Sequence, residues 1–232
     1  MHKTLKILLI SLLAFLLVLV GAAANNITNI KLNKEGKTQQ TIEKEEKKTE
    51  NIVFLGDSIT EIYPLEDIFG KVPIVKSGIS GYRTKDILEQ LRKMVYQYNP
   101  SKVILLIGTN DYLDDSTPDE VASNIKEIVQ EIHKHRKNTE IYIESIYPIN
   151  KNLKKEMVAN RDNDKIIETN KKIKDICKKK NLTYIDMYNE LIDEDGNFNK
   201  KYTYDGLHPN TLGYARISQV LSQYIYKNKK DI

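Results

Sequence analysis

Val103-Ile104-Leu105-Leu106-Ile107-Gly108-Thr109-Asn110-Asp111 is the stretch on which the fold turns. Five apolar residues run together without polar alternation, and three are β-branched. Such a run fits a strand covered on both faces. Gly108 permits a sharp exit, and the polar residues after it read as a loop. Further strands are expected at Ile52 to Leu55 and Val72 to Val75 on the N-terminal side. On the C-terminal side they are expected at Ile141 to Ile146 and Thr183 to Ile185. Between the third and fourth, Thr117, Pro118 and Glu120 form a helix-start signature, a capping box with proline in the first turn. Val121, Ile125, Ile128, Val129 and Ile132 then recur on one helical face. Thr84 to Tyr98 also reads as a helix, stopping before Pro100. A third includes Ile166, Asn170, Ile173 and Ile176, and a last runs from about Leu212 to Tyr226. Strands separated by helices of this length predict an α/β fold, a mostly parallel sheet between two helical layers. Ligands on such sheets gather beyond the carboxyl ends of the strands.

Composition narrows the function. With 232 residues, 40% apolar and 29% charged, the chain is long enough for one domain with a substantial core. The net charge is only +4, and Lys is interspersed with Glu and Asp rather than gathered in a stripe. No nucleic-acid partner is expected from that pattern. A single cysteine, Cys177, excludes an intramolecular disulfide and a thiol-ligated zinc site. Its place after Ile173 and Ile176 makes it a core thiol. Asp193-Glu194-Asp195-Gly196-Asn197 begins like a calcium loop, but Tyr204 stands where the ligating Glu is required. A surface turn is expected there.

The ends carry address information. Lys3 and Lys6 precede an apolar run from Ile7 to Val20, closed by Gly21-Ala22-Ala23-Ala24. This is the three-part pattern of a secretory signal, with cleavage after Ala24, or else of a retained membrane anchor over residues 7–24. Either places the remainder outside the cytoplasm, secreted or at the cell surface. Residues 25–50 read as a polar linker, 51–226 as the folded domain, and 227–232 as a basic tail. The sequence leaves the oligomeric state open.

Two loops carry candidate chemistry. Phe54-Leu55-Gly56-Asp57-Ser58-Ile59-Thr60 turns out of the first strand, and Asp57 or Ser58 can cap a helical segment there. Ser58 is then either a cap or a nucleophile, and a nucleophile needs a base. His133 and His135 sit late on the capped helix, where the helix end favours a positive charge. His208 differs, lying in the turn Tyr204-Asp205-Gly206-Leu207-His208-Pro209-Asn210. Asp205, three residues earlier, either orients the ring for proton transfer or only pins the turn. Ser77-Gly78-Ile79-Ser80-Gly81 and Gly108-Thr109-Asn110-Asp111 are either oxyanion-stabilising loops or ordinary glycine turns.

Taken in order, GDSIT, GISG, GTND and DGLHPN resemble the four blocks of the SGNH hydrolase superfamily, also called GDSL-type esterases and lipases. The likeness covers about Asn51 to Tyr226. It implies a three-layer α/β/α sandwich with a five-stranded parallel sheet, similar to flavodoxin-like folds. It implies a carboxylic-ester hydrolase with Ser58 as nucleophile, His208 as base and Asp205 orienting it. The oxyanion hole then looks like the N–H of Ser58, the N–H of Gly78 and the side chain of Asn110. No metal or organic cofactor is implied. GDSIT looks more like the compact acetylhydrolase branch than the long lipases. Many members carry Asn where Lys76 stands, which leaves the bracing of the Gly78 loop unexplained. The G-x-S-x-G elbow of the α/β-hydrolases is absent around Ser58.

The expected substrate is a small acyl ester, in particular an O-acetyl group on extracellular or envelope carbohydrate. Lysophospholipid or thioester hydrolysis at the same site is the alternative, and a non-catalytic carbohydrate-binding protein a more distant one. Tyr82, Tyr112 and Tyr147 follow strand ends and either line the pocket or pack in the core. Ile149 to Asn163 is long and polar. Its Lys151, Lys154, Lys155 and Arg161 read as a solvated basic loop, or as groups tolerating an anionic polymer.

Overall fold

The computed structural model describes residues 51–226. The expected signal or anchor, polar linker and basic tail lie outside the described residues. Among the described residues there are five strands: β1 (Ile52–Gly56), β2 (Ile74–Gly78), β3 (Lys102–Leu106), β4 (Glu140–Glu144) and β5 (Thr183–Ile185). All pair in parallel, in the order β2-β1-β3-β4-β5. The α-helices among the described residues are α1 (Ser58–Glu61), α2 (Leu65–Phe69), α3 (Thr84–Met94), α4 (Pro118–His135), α5 (Lys155–Val158), α6 (Asn163–Lys180), α7 (Tyr188–Leu191) and α8 (Thr211–Ile225). The expected α/β architecture is the observed one. Among the described residues, no helix is long and apolar enough to cross a membrane.

Side-chain alternation sorts the central strands onto two cores. Val53, Leu55, Val103, Leu105, Ile141 and Ile143 face one core with residues of α3, α4 and α6. Ile52, Phe54, Ile104, Leu106 and Tyr142 face the other, with residues of α2, α7 and α8. Both faces are dry, which is why β3 reads as an unbroken apolar run. α4 starts as its residues dictate: Thr117 Oγ1 accepts from the Glu120 N–H at 3.3 Å, and Glu120 Oε2 accepts from the Thr117 N–H at 2.8 Å. Cys177 lies buried on α6, where desolvation pushes its thiol up to about 11.

Three elements depart from expectation by two residues or more. β2 begins at Ile74 and continues through Lys76, Ser77 and Gly78, rather than spanning Val72 to Val75. It is an edge strand and only half-buried, so apolar continuity does not mark it. The Thr84 to Tyr98 helix ends at Met94, and Tyr96–Tyr98 forms a separate 3₁₀ turn. Ser145 and Ile146 lie beyond the last residue of β4.

Glu144, at the end of β4, is 4% exposed. Burial raises its carboxyl to about 7, against a smaller lowering by the Tyr147 hydroxyl that donates to it at 2.6 Å. The folded value lies above the unfolded one, so Glu144 favours the fold fully below the usual carboxylate range. That contribution is lost as pH rises through about 7. Glu144→Gln keeps an acceptor for Tyr147 and removes the ionisation. Thermal melts from pH 5 to 8 should show the wild type losing stability relative to this variant. A constant offset across that range would exclude the buried ionisation.

Candidate active site

The sheet order reverses direction between β2-β1 and β1-β3, so the chain leaves β1 and β3 toward opposite sides and opens a crevice at their carboxyl ends. The residues singled out in the sequence come from the segments around that crevice. Asp57 ends the turn after β1, and its Oδ1 accepts the Ile59 N–H at 3.0 Å. The cap of α1 is thus Asp57, and the Ser58 hydroxyl is directed elsewhere. Ser58 Oγ lies 3.0 Å from His208 Nε2, across 150 residues of chain. His208 Nδ1 lies 2.8 Å from Asp205 Oδ2.

The Asp205 turn is held by its own backbone. Asp205 Oδ1 accepts the N–H groups of Leu207 at 2.9 Å and His208 at 2.8 Å. Thr203 pairs with Pro209 as an isolated bridge, and Thr203 Oγ1 donates to the His208 carbonyl at 2.7 Å. Gly206 adopts φ +90°, and a Cβ there would stand 2.3 Å from the Asn150 carbonyl oxygen. Only glycine serves at that position. Burial pushes the Asp205 carboxyl up, but hydrogen bonds from the His208 ring and the two backbone N–H groups outweigh it, leaving the group below its ordinary value. An ionised acceptor therefore faces Nδ1, which leaves Nε2 as the nitrogen toward Ser58.

Gly78 packs on the backbone of α1. A Cβ there would lie 2.4 Å from the Glu61 nitrogen and 2.7 Å from the Asp57 carbonyl oxygen. The bracing left open at Lys76 comes from elsewhere. Glu61 Oε2 accepts the Ser80 N–H at 2.9 Å and also the Ser80 hydroxyl. Ser77 Oγ donates to the Met94 carbonyl at 2.9 Å. Lys76 itself donates to the Tyr63 carbonyl.

Asn110 is buried at the exit of β3. Its Nδ2 donates to the Tyr82 carbonyl at 3.0 Å, tying the β3 loop to the β2 loop. Asp111, beside it, accepts the Thr84 N–H and hydroxyl and so holds the start of α3. The Asn110 Oδ1 accepts from Arg161 Nη2 at 2.6 Å. Arg161 is 3% exposed, so it is neither part of a solvated basic loop nor placed to meet a polymer. Its other contacts are donations to the carbonyls of Thr109 at 3.0 Å, and of Met157 and Val158 at 3.1 Å each. Burial pulls its guanidinium below its ordinary value, and the charges of Asp57 and Asp205 act the other way.

Two of the tyrosines offered for the pocket belong to the core. Tyr112 is fully buried and donates to the Lys165 carbonyl, and Tyr147 is 3% exposed against Glu144. Tyr82 is half-buried beside the core, with its carbonyl on Asn110. His135 stacks on Tyr96 away from the crevice. Asp193 Oδ1 accepts the N–H groups of Asp195 at 3.1 Å and Asn197 at 2.8 Å, making the expected turn.

The fold, together with the match of residues 54–216 to a GDSL-type family model, makes the chain a carboxylic-ester hydrolase of the SGNH/GDSL type, a class that acts on small acyl esters. The chain belongs to the GDSL-like Lipase/Acylhydrolase family, whose model matches residues 54–216. A solved Streptococcus pneumoniae structure described as a platelet activating factor superposes with TM-score 0.73 at 33% identity, covering 89% of this chain and 99% of that one. Platelet-activating factor acetylhydrolase IB subunit alpha2 of Rattus norvegicus is 25% identical over 77% of each chain. The N-acylneuraminate cytidylyltransferase of Escherichia coli is 26% identical over 75% of this chain. The match spans 40% of that longer protein.

Proposed function

We propose that the protein removes acetyl groups from extracellular or cell-envelope carbohydrate, with Ser58 as nucleophile, His208 as general base and Asp205 as its orienting partner. The observation that carries the hydrolytic part of this reading is the unbroken chain Ser58 Oγ, His208 Nε2, His208 Nδ1, Asp205 Oδ2, at 3.0 and 2.8 Å. His208 takes the Ser58 proton as Oγ bonds to the ester carbonyl carbon. Negative charge moves to the carbonyl oxygen and is met by the N–H groups of Ser58 and Gly78 and by the Asn110 amide. The protonated ring then delivers the proton to the departing alcohol as the C–O bond breaks. Water repeats the sequence on the acyl-enzyme, releasing the acid and free Ser58. An acetyl substrate is supported by the relative that is an acetylhydrolase, and a sugar by the relative named for N-acylneuraminate. Export rests on residues 1–24, whose composition supplies either a cleavable signal or an anchor.

A second reading, hydrolysis of an ester with a long apolar tail, is favoured by one cleft. A cavity of about 710 Å³ lies between α2 and the start of α8, lined by Ile62, Pro64, Ile68, Tyr204, Pro209 and Tyr214 among others. Ile62 and Tyr204 are exposed apolar groups on it, and Pro209 adjoins His208. Protein lacking residues 1–24 should be assayed against acetylated oligosaccharides, short p-nitrophenyl esters and long-chain lysolipids. Acetylated sugar and p-nitrophenyl acetate are expected to give the highest kcat/KM. A preference for long acyl chains would overturn deacetylation in favour of the lipid reading.

A further inference from the structure

We propose that Arg161 is a positioning residue for the reaction, fixing and polarising the Asn110 amide that meets the developing oxyanion. The inference rests on the assignment of Ser58 and Asn110 to the reaction. A side-chain amide can present either its oxygen or its NH₂ to a site, and only its neighbours decide which. Here both neighbours agree. A guanidinium donates and never accepts, so the atom 2.6 Å from Arg161 Nη2 must be Oδ1. The Tyr82 carbonyl accepts and never donates, so the atom 3.0 Å from it must be Nδ2. One N–H is engaged by Tyr82, and the amide plane is thereby set for the other.

Arg161 adds charge to orientation. A cation on Oδ1 draws electron density through the conjugated amide and strengthens both N–H groups as donors, an effect enlarged by burial. The guanidinium is itself immobilised. Its Nε, Nη1 and Nη2 serve four acceptors: the carbonyls of Thr109, Met157 and Val158, and Asn110 Oδ1. The same strap reaches the other half of the site. The Asn150 N–H donates to the Gly206 carbonyl at 2.8 Å, and the Lys154 N–H to the Asp205 carbonyl at 3.3 Å. Residues 150–161 therefore tie the Asn110 loop and the His208 turn to one segment. A lysine has neither the planar fork nor enough donors in fixed directions to replace it.

The test is a double-mutant cycle on p-nitrophenyl acetate hydrolysis, with fold monitored by circular dichroism. Arg161→Ala is expected to lower kcat by about 100-fold, the scale of losing one oxyanion donor, with KM changed by less than about 3-fold. Asn110→Ala should lose a similar factor, and the double variant should lie within about 3-fold of Asn110→Ala alone, because the two act as one unit. Multiplying losses in the double variant, or a change confined to KM, would overturn the proposal by making Arg161 a general structural support. If Arg161→Ala does not fold, the same cycle is run with Arg161→Lys, which retains the charge. Coupling to Asn110 is again expected, and multiplying losses again refute it. Ser58→Ala is measured alongside. Retained turnover in that variant defeats the site assignment itself, whereas an inert Ser58→Ala with uncoupled Arg161 and Asn110 losses defeats only the role of Arg161.

Discussion

Ser58→Ala is expected to give a folded domain with essentially no ester turnover. The change removes one oxygen, whose structural hydrogen bond is to His208 Nε2. Helix α1 does not depend on it, because Asp57 supplies the cap. Ser58 is only half-buried, so deletion of Oγ leaves no sealed cavity. The melting temperature should therefore stay within a degree or two, corresponding to about 0.5 kcal/mol or less for a change away from the core. The rate should fall by a factor on the order of 10⁶, the scale of removing a serine nucleophile. Covalent labelling by a fluorophosphonate should disappear in parallel. Steady-state turnover near the wild-type value in purified Ser58→Ala would remove the nucleophile assignment, and with it the proposed mechanism.

Removal of the ring in His208→Ala should cost on the order of 10⁴-fold or more in kcat, since the serine then keeps its proton. It should also differ from Ser58→Ala in stability. Asp205 loses the ring at 2.8 Å but keeps the N–H groups of Leu207 and of residue 208. The carboxyl, depressed in the wild type, should move back toward its ordinary value. A depressed carboxylate contributes stability above its unfolded pKa, and that contribution fades as pH falls through the folded value. The wild type should therefore lose stability on acidification more steeply than His208→Ala below about pH 4. Coincident acid limbs would show that the ring does not set the Asp205 titration, and near-normal rates in His208→Ala would end its assignment as base.

The central sheet was legible because β1 and β3 are buried on both faces, and a strand so placed leaves no polar positions. β2 was misplaced by two residues because an edge strand carries no such signature, and Pro73 interrupts the apolar run that suggested an earlier start. The Thr117 cap was readable in full, since its contacts lie within four residues. Ser58, His208, Asp205 and Asn110 were candidates by their places after strands and in a polar turn, and it was the resemblance of the four blocks to a known family that chose among their alternatives. The Ser58 ambiguity could not be resolved locally, because Asp57 was an equally good cap.

The burial of Arg161 was the larger correction. It follows Lys151, Lys154 and Lys155, and nothing in the local pattern separates a buried cation from solvated ones. Its burial is set by carbonyls at Thr109, Met157 and Val158, which converge only when β3 and the segment after β4 are folded together. The one available signal was its identity. It alone among those four cations has a planar, five-donor head suited to several acceptors at once. Tyr112 and Tyr147 take the core-packing alternative for a related reason: a tyrosine after a strand is equally able to close a core, provided its hydroxyl finds an acceptor.

The His208 ring and the Asp205 carboxylate are neighbours in a single turn, whereas the Ser58 hydroxyl beside the ring comes from 150 residues away in the chain. The first pairing is local in sequence, though its turn is also held by Asn150 and Lys154. The second demands that distant strands zip in parallel, which is slow and highly cooperative. Under the proposed mechanism, ester hydrolysis therefore requires the folded sheet that brings Ser58 Oγ to within 3.0 Å of His208 Nε2.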